Sequence, residues 1–174
     1  HSMRILACSD SHIYVACGRD VLVASFKDTS ATKSLVPPKE IAADAKLVTI
    51  VLSHCGDVVV GGYDDKNLVS WHVKDGSVRG RIEMKKKPAV VCTASYKQNA
   101  HNRDVVLYSD KFGEVYAVDY DMKGYVMATG HSTSIITDMA MAPPITTNEH
   151  AAHGLPMSSQ LLLTVDRDEK VRVS

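Results

Sequence analysis

VVVGGYDDKNLVSW, residues 58–71, is an apolar run, a polar turn and a second run of strand-forming residues. Three further stretches of the same length have the same build: IYVACGRDVLVASF at 13–26, VVLYSDKFGEVYAV at 105–118 and LLLTVDRDEKVRVS at 161–174. Their starts lie 45, 47 and 56 residues apart, the last spacing lengthened by an insertion at 143–159. Another apolar run precedes each of the last three hairpins: LVTIVLS (47–53), AVVCTAS (89–95) and IITDMAMA (135–142). The turn sequences at 74–76 and 121–124 end in Gly76 and Gly124, and each leads to one more strand. Glycine can take a positive φ there without a Cβ clash. The unit is therefore four short antiparallel strands in about 45 residues. No segment holds a 3.6-residue period, and 41–45 is too short for a stable helix.

Four strands recurring at this period predict an all-β fold, a β-propeller of the WD-repeat type. Trp71 stands where the Trp of the WD dipeptide would be, followed by His72 in place of Asp. Gly130-His131 supplies the GH dipeptide. Asp65 and Asp168 fall at the Asp of the turn between the second and third strands, a position held by Phe112 in the third repeat. Ser174 replaces the Trp in the fourth. His131, Asp168, Asp65 and Trp71 are thus expected to be structural, with His131 and Asp168 a buried pair rather than a catalytic dyad. After a two-residue tag remnant (1–2), the expected blades lie near 3–28, 46–84, 87–129 and 130–174 of a partial propeller. WD-type rings commonly have about seven blades, so about four are expected here and the rest elsewhere. The alternative is self-association of the open edges, because an uncapped repeat leaves apolar surface exposed.

Composition narrows the function. The 174 residues carry 20 Lys+Arg against 20 Asp+Glu, with 45% hydrophobic and 23% charged residues. Zero net charge argues against a freestanding nucleic-acid binder. No apolar stretch approaches the roughly 18 residues of a membrane span, so no membrane partner is expected. Cys8, Cys17, Cys55 and Cys92 form no CxxC pair and lie in β-branched surroundings, where a free thiol serves as a small buried apolar group. That usage fits a reducing compartment. There is no GxGxxG, P-loop, GxSxG or HExxH, hence no expected catalytic, cofactor or metal residue. His150 and His153 lie in the insertion without a third ligand placed by spacing, and that insertion reads as a disordered loop.

Asp110-Lys111-Phe112-Gly113-Glu114-Val115-Tyr116, then Gly130-His131, then residues 166–174 (DRDEKVRVS) form a more specific series. It resembles the WD-repeat, non-catalytic subunit of eukaryotic tRNA (guanine-N7) methyltransferase, over roughly residues 46–174. Phe112 departs from that pattern, which has a small residue there. The resemblance implies a nuclear scaffold that binds and stabilises a catalytic subunit for N7-methylation of guanosine 46 in the tRNA variable loop. It places S-adenosylmethionine on that partner subunit.

Charged residues on the last two hairpins are the expected contacts. Arg167, Lys170 and Arg172 intersperse with Asp166, Asp168 and Glu169. They read either as a solvated tip whose ion pairs contribute about 0–1 kcal/mol each, or as a docking patch in which Arg pairs bidentately with carboxylates. Arg172 alternates with Val171 and Val173 and so faces away from them. The resemblance makes Arg172 the leading partner contact, with Arg167, Lys170 and Lys111 beside it. Lys85-Lys86-Lys87 reads as an exposed connection, or as an auxiliary, salt-sensitive contact to tRNA phosphate. Base readout is not expected there, since no aromatic residue is near in sequence. A generic WD-repeat interaction scaffold or receptor is the other function considered.

Overall fold

The computed structural model describes residues 6–28, 32–98, 101–130, 134–142 and 161–174. In these residues the chain forms four antiparallel sheets, each a meander in sequence order. The first holds β1 (Leu6–Cys8), β2 (His12–Cys17), β3 (Asp20–Ser25) and β4 (Thr32–Leu35). The second holds β5 (Leu47–Leu52), β6 (Val58–Tyr63), β7 (Asn67–His72) and β8 (Val78–Glu83). The third holds β9 (Pro88–Gln98), β10 (His101–Asp110), β11 (Glu114–Asp119) and β12 (Tyr125–Gly130). The fourth has three described strands, β13 (Ile136–Met141), β14 (Leu162–Asp166) and β15 (Val171–Val173). This is the all-β architecture of repeated antiparallel sheets that the repeats predict. The first sheet runs on to Leu35, whose side chain is fully buried, through a strand (TKSL) whose other residues stay partly or fully exposed.

The alternation within each strand sends side chains to both faces, and successive sheets stack face to face through them. Tyr14, Val21, Val23 and Leu35 of the first blade pack with Ile50, Val59, Tyr63, Val69 and Trp71 of the second. On the other face of β6, Val58 and Val60 join Leu68 and Met84 against Val106, Tyr108, Val118 and Tyr120 of the third blade. Cys92, Val105, Leu107 and Val115 then meet Ile136, Met139 and Leu162 of the fourth. The second blade, covered on both sides, is buried along all of β6. Each fully buried large apolar side chain contributes roughly 1.5–3 kcal/mol, so these three interfaces carry the fold.

Polar contacts fix the blades in rotation. The Trp71 indole donates to the Val36 carbonyl at 3.0 Å, and the Tyr63 hydroxyl to the Arg19 carbonyl at 2.6 Å. Ser70 donates to the Tyr120 carbonyl at 2.7 Å, and Thr49 accepts the Val91 amide at 3.2 Å. Gly61 and Gly62 permit the close approach on β6. A Cβ on Gly61 would stand 2.6 Å from Leu47 Cδ2, and one on Gly62 2.8 Å from Thr49 Cγ2.

The cysteines depart from expectation. Only Cys92 is buried; Cys8 and Cys55 are exposed, Cys17 is half-buried, and all four thiols are free. Burial follows strand parity and blade stacking, and Cys55 lies in the turn after β5, outside the apolar layers. Desolvation, helped by Asp138, pushes the Cys92 thiol up to about 12. The turn expected at Gly124 takes its positive φ at Met122 instead (55°), whereas Gly76 adopts 76°.

Candidate functional site

In a meander of four strands, the connections alternate between the two ends of each sheet. The β2–β3, β6–β7, β10–β11 and β14–β15 hairpins therefore share one end with the crossovers that lead from one blade to the next. Leu47 N–H donates to the Gly18 carbonyl at 2.9 Å, joining one such crossover to a hairpin tip. Each tip turns on one residue in the left-handed region: Gly18 (φ 64°), Lys66 (76°), Gly113 (80°) and Glu169 (62°). The expected contacts Lys111, Arg167 and Lys170 all stand on this rim, exposed, on the third and fourth tips.

Two buried aspartates build those tips. The third-blade Asp110 has Oδ1 accepting the amides of Phe112 (2.7 Å) and Glu114 (3.1 Å). The fourth-blade Asp166 has Oδ1 accepting those of Asp168 (2.9 Å) and Lys170 (3.1 Å). The Asp168 carboxylate, expected in a buried pair, is exposed on the tip, and it is Asp166 that is buried. The proposed pairing partner His131 lies outside the described residues, as do His150, His153 and the insertion. Asp65 accepts from the amides of Asn67 (3.2 Å) and Ala42 (3.2 Å), tying the second tip to the preceding crossover. Trp71 is wholly buried.

Arg172 sits on β15 opposite Thr164, which is itself opposite Met139. That register puts it on the face turned toward the third blade, half-buried and with an interaction partner of its own. Val171 and Val173 occupy the other face and are 64% and 59% exposed.

A cluster the sequence did not show centres on Lys86. Its ammonium is 2.8 Å from Glu114 Oε2, 3.4 Å from Asp110 Oδ2 and 4.2 Å from the centroid of the Phe112 ring. Glu114 also accepts the Tyr116 hydroxyl at 2.6 Å, and Tyr116 stacks on Tyr108 with centroids 5.0 Å apart. The Lys86 and Tyr116 hydrogen bonds hold the Glu114 carboxyl below its ordinary range, and the Glu114 hydrogen bond raises Lys86. An aromatic residue therefore does stand beside the Lys85–Lys87 run, contrary to the sequence expectation. Pairing of Pro88 with Asp110 brings the crossover against the tip, a register that only a blade-to-blade alignment of the repeats would have revealed.

Elsewhere, a cleft of about 590 Å³ is lined by Arg19, Val36, Lys39, Glu40 and Ile41, among others. Arg19 there donates to the Ile41 carbonyl at 3.0 Å. Among the described residues no group of three His, Cys, Asp or Glu could hold a metal.

No family profile and no curated protein sequence matches the chain. Solved structures do. A chain of the computationally designed Ika4 protein is 12% identical, with a TM-score of 0.67, over 99% of this chain and 90% of that one. A chain of the mitotic checkpoint complex is 17% identical, with a TM-score of 0.67, over 99% and 46%. Sqt1 of Saccharomyces cerevisiae is 12% identical, with a TM-score of 0.68, over 98% and 45%. This chain spans under half the length of the last two. At such identities the likeness speaks to fold alone, and with the four stacked meanders it establishes four blades of a WD-repeat-type β-propeller.

Proposed function

We propose that this chain belongs to the non-catalytic scaffold subunit of a eukaryotic tRNA (guanine-N7) methyltransferase, acting in the nucleus. Its rim at the third and fourth blades holds the catalytic subunit, which carries S-adenosylmethionine and the chemistry. The observation that carries this reading is the placement of the two segments most like that family. DKFGEVY and DRDEKVRVS form adjacent hairpin tips on one end of the propeller, each organised by a buried aspartate. A rigid backbone that presents Lys111, Arg167 and Lys170 loses little entropy on docking, which is how a preformed surface gains affinity. The test is co-purification of the protein with the catalytic subunit, followed by assay of N7-methylation on tRNA. A partner that is neither bound nor activated would refute the reading.

A second reading, a general protein-interaction scaffold, draws on the similar chain that is part of the mitotic checkpoint complex. It predicts that alanine substitutions around the central channel, rather than at the third and fourth tips, abolish partner capture.

A further inference from the structure

Phe112 is 61% exposed, yet it is not loosely held. Its amide is fixed to Asp110, the next residue Gly113 takes the left-handed turn conformation, and the Lys86 ammonium rests on its ring. Lys86 is itself matched by Glu114 and Asp110, so it serves to hold the ring rather than to attract a ligand. Lys85 and Lys87 adjoin Lys86 in the chain, and Lys111 adjoins Phe112; all three are exposed and make no ion pair among the described residues. A fixed, exposed aromatic ring flanked by unpaired ammonium groups has the two components of single-strand recognition, a stacking platform and a phosphate-attracting border.

We propose that this patch binds a single strand of nucleic acid, with one base stacked on Phe112 and the flanking phosphates on Lys85, Lys87 and Lys111. The charge chemistry favours phosphate over an acidic protein segment. The patch offers only lysines, compact point charges that suit phosphate, and none of the arginine forks that pair bidentately with carboxylates. The binding is sequence-tolerant, since every base has a π face. It is local as well, which agrees with zero net charge over the whole chain. The patch shares Lys111 and the third tip with the proposed docking rim, but strand binding by the propeller protein alone requires no catalytic subunit.

Fluorescence anisotropy with labelled decauridylate and with a ten-unit abasic ribose-phosphate strand tests the proposal, and a decathymidylate arm tells RNA from DNA. Phe112→Ala should weaken decauridylate binding about 5- to 150-fold, the equivalent of roughly 1–3 kcal/mol for one stacked base. The same change should leave binding of the abasic strand unaltered. Phe112→Trp should preserve binding, and Phe112→Leu, which keeps apolar volume without a π face, should behave like Phe112→Ala. Lys85→Ala and Lys111→Ala should weaken both strands, each lowering the salt-dependence slope by about 0.7. Equal binding of decauridylate by Phe112→Ala and the unaltered protein would overturn the proposal. So would a decaglutamate peptide that binds as tightly with the same Phe112 dependence, for the patch would then belong to an acidic protein.

Discussion

Asp110 and Asp166 occupy the same place in neighbouring blades, each burying a carboxylate whose Oδ1 accepts two amides from its own hairpin tip. They differ in what faces the second oxygen. Asp110 Oδ2 looks onto the Lys86 ammonium of the preceding crossover at 3.4 Å, so the third tip is tied to the second blade as well as to itself.

Removing either carboxylate strands two amides, and at Asp110 it also leaves the ammonium short of one partner. Asp110→Ala should cost about 2–4 kcal/mol and Asp166→Ala about 1–3 kcal/mol. Urea unfolding read by circular dichroism measures both. Equal small losses would mean that the tips do not depend on these bonds.

Trp71 joins packing to a specific bond. Trp71→Phe should cost about 1–2 kcal/mol, from the Val36 carbonyl left without its donor and the lost ring volume. Trp71→Ala should cost about 3–5 kcal/mol, since the first interface then holds a cavity. The two urea midpoints, compared with the unaltered protein, check the order.

Lys66 holds a positive φ of 76° at the second tip, where its equivalents in the third and fourth blades are Gly113 and Glu169. Lys66→Gly relieves a conformation that disfavours side chains by about 1–2 kcal/mol. Part of the gain is lost to the greater freedom of the unfolded chain. A rise of about 2–4 °C in Tm is expected. A fall would show the strain to be absent.

The Lys86–Glu114 pair predicts a pH window. Glu114 is held below its ordinary 4.5, so its stabilising effect is present above 4.5 and is lost as pH falls through the lowered folded-state value. Lys86 is raised above 10.5, so its effect is present below 10.5 and is lost as pH rises through the raised value. The deficit of Glu114→Gln relative to the unaltered protein should be constant at neutral pH and shrink below pH 4.5. Urea midpoints from pH 2 to 7 would show it, and a deficit independent of pH would exclude the pair as its source.

Sequence alone conveyed the blades, because strand alternation and a period near 45 residues are local signals that stacking then reinforces. It was less informative wherever burial depends on which blade lies opposite. TKSL shows little apolar alternation, yet it closes the first sheet because Leu35 finds the first interface. Asp166 and Asp168 look alike in a chain read linearly, and only the turn geometry buries one and exposes the other. The nearness of Lys86 to Phe112 depends on the pairing of Pro88 with Asp110, 22 residues apart, which no local pattern encodes.

The proposed docking of a catalytic subunit at the third and fourth blades takes Arg172, half-buried on β15 behind the fourth tip, as its leading contact. Titration calorimetry of the propeller protein against the catalytic methyltransferase subunit, comparing the unaltered form with Arg172→Leu and Arg172→Lys, tests it most directly. Truncating one partner of a desolvated charge pair costs about 2–5 kcal/mol, so Arg172→Leu should raise Kd roughly 30-fold or more, with Tm measured alongside to separate the loss of the interaction Arg172 makes within the propeller. Arg172→Lys should fall between, because the charge survives while the planar fork is lost. Unchanged affinity in Arg172→Leu would rule out Arg172 as the contact and move the docking site to another blade.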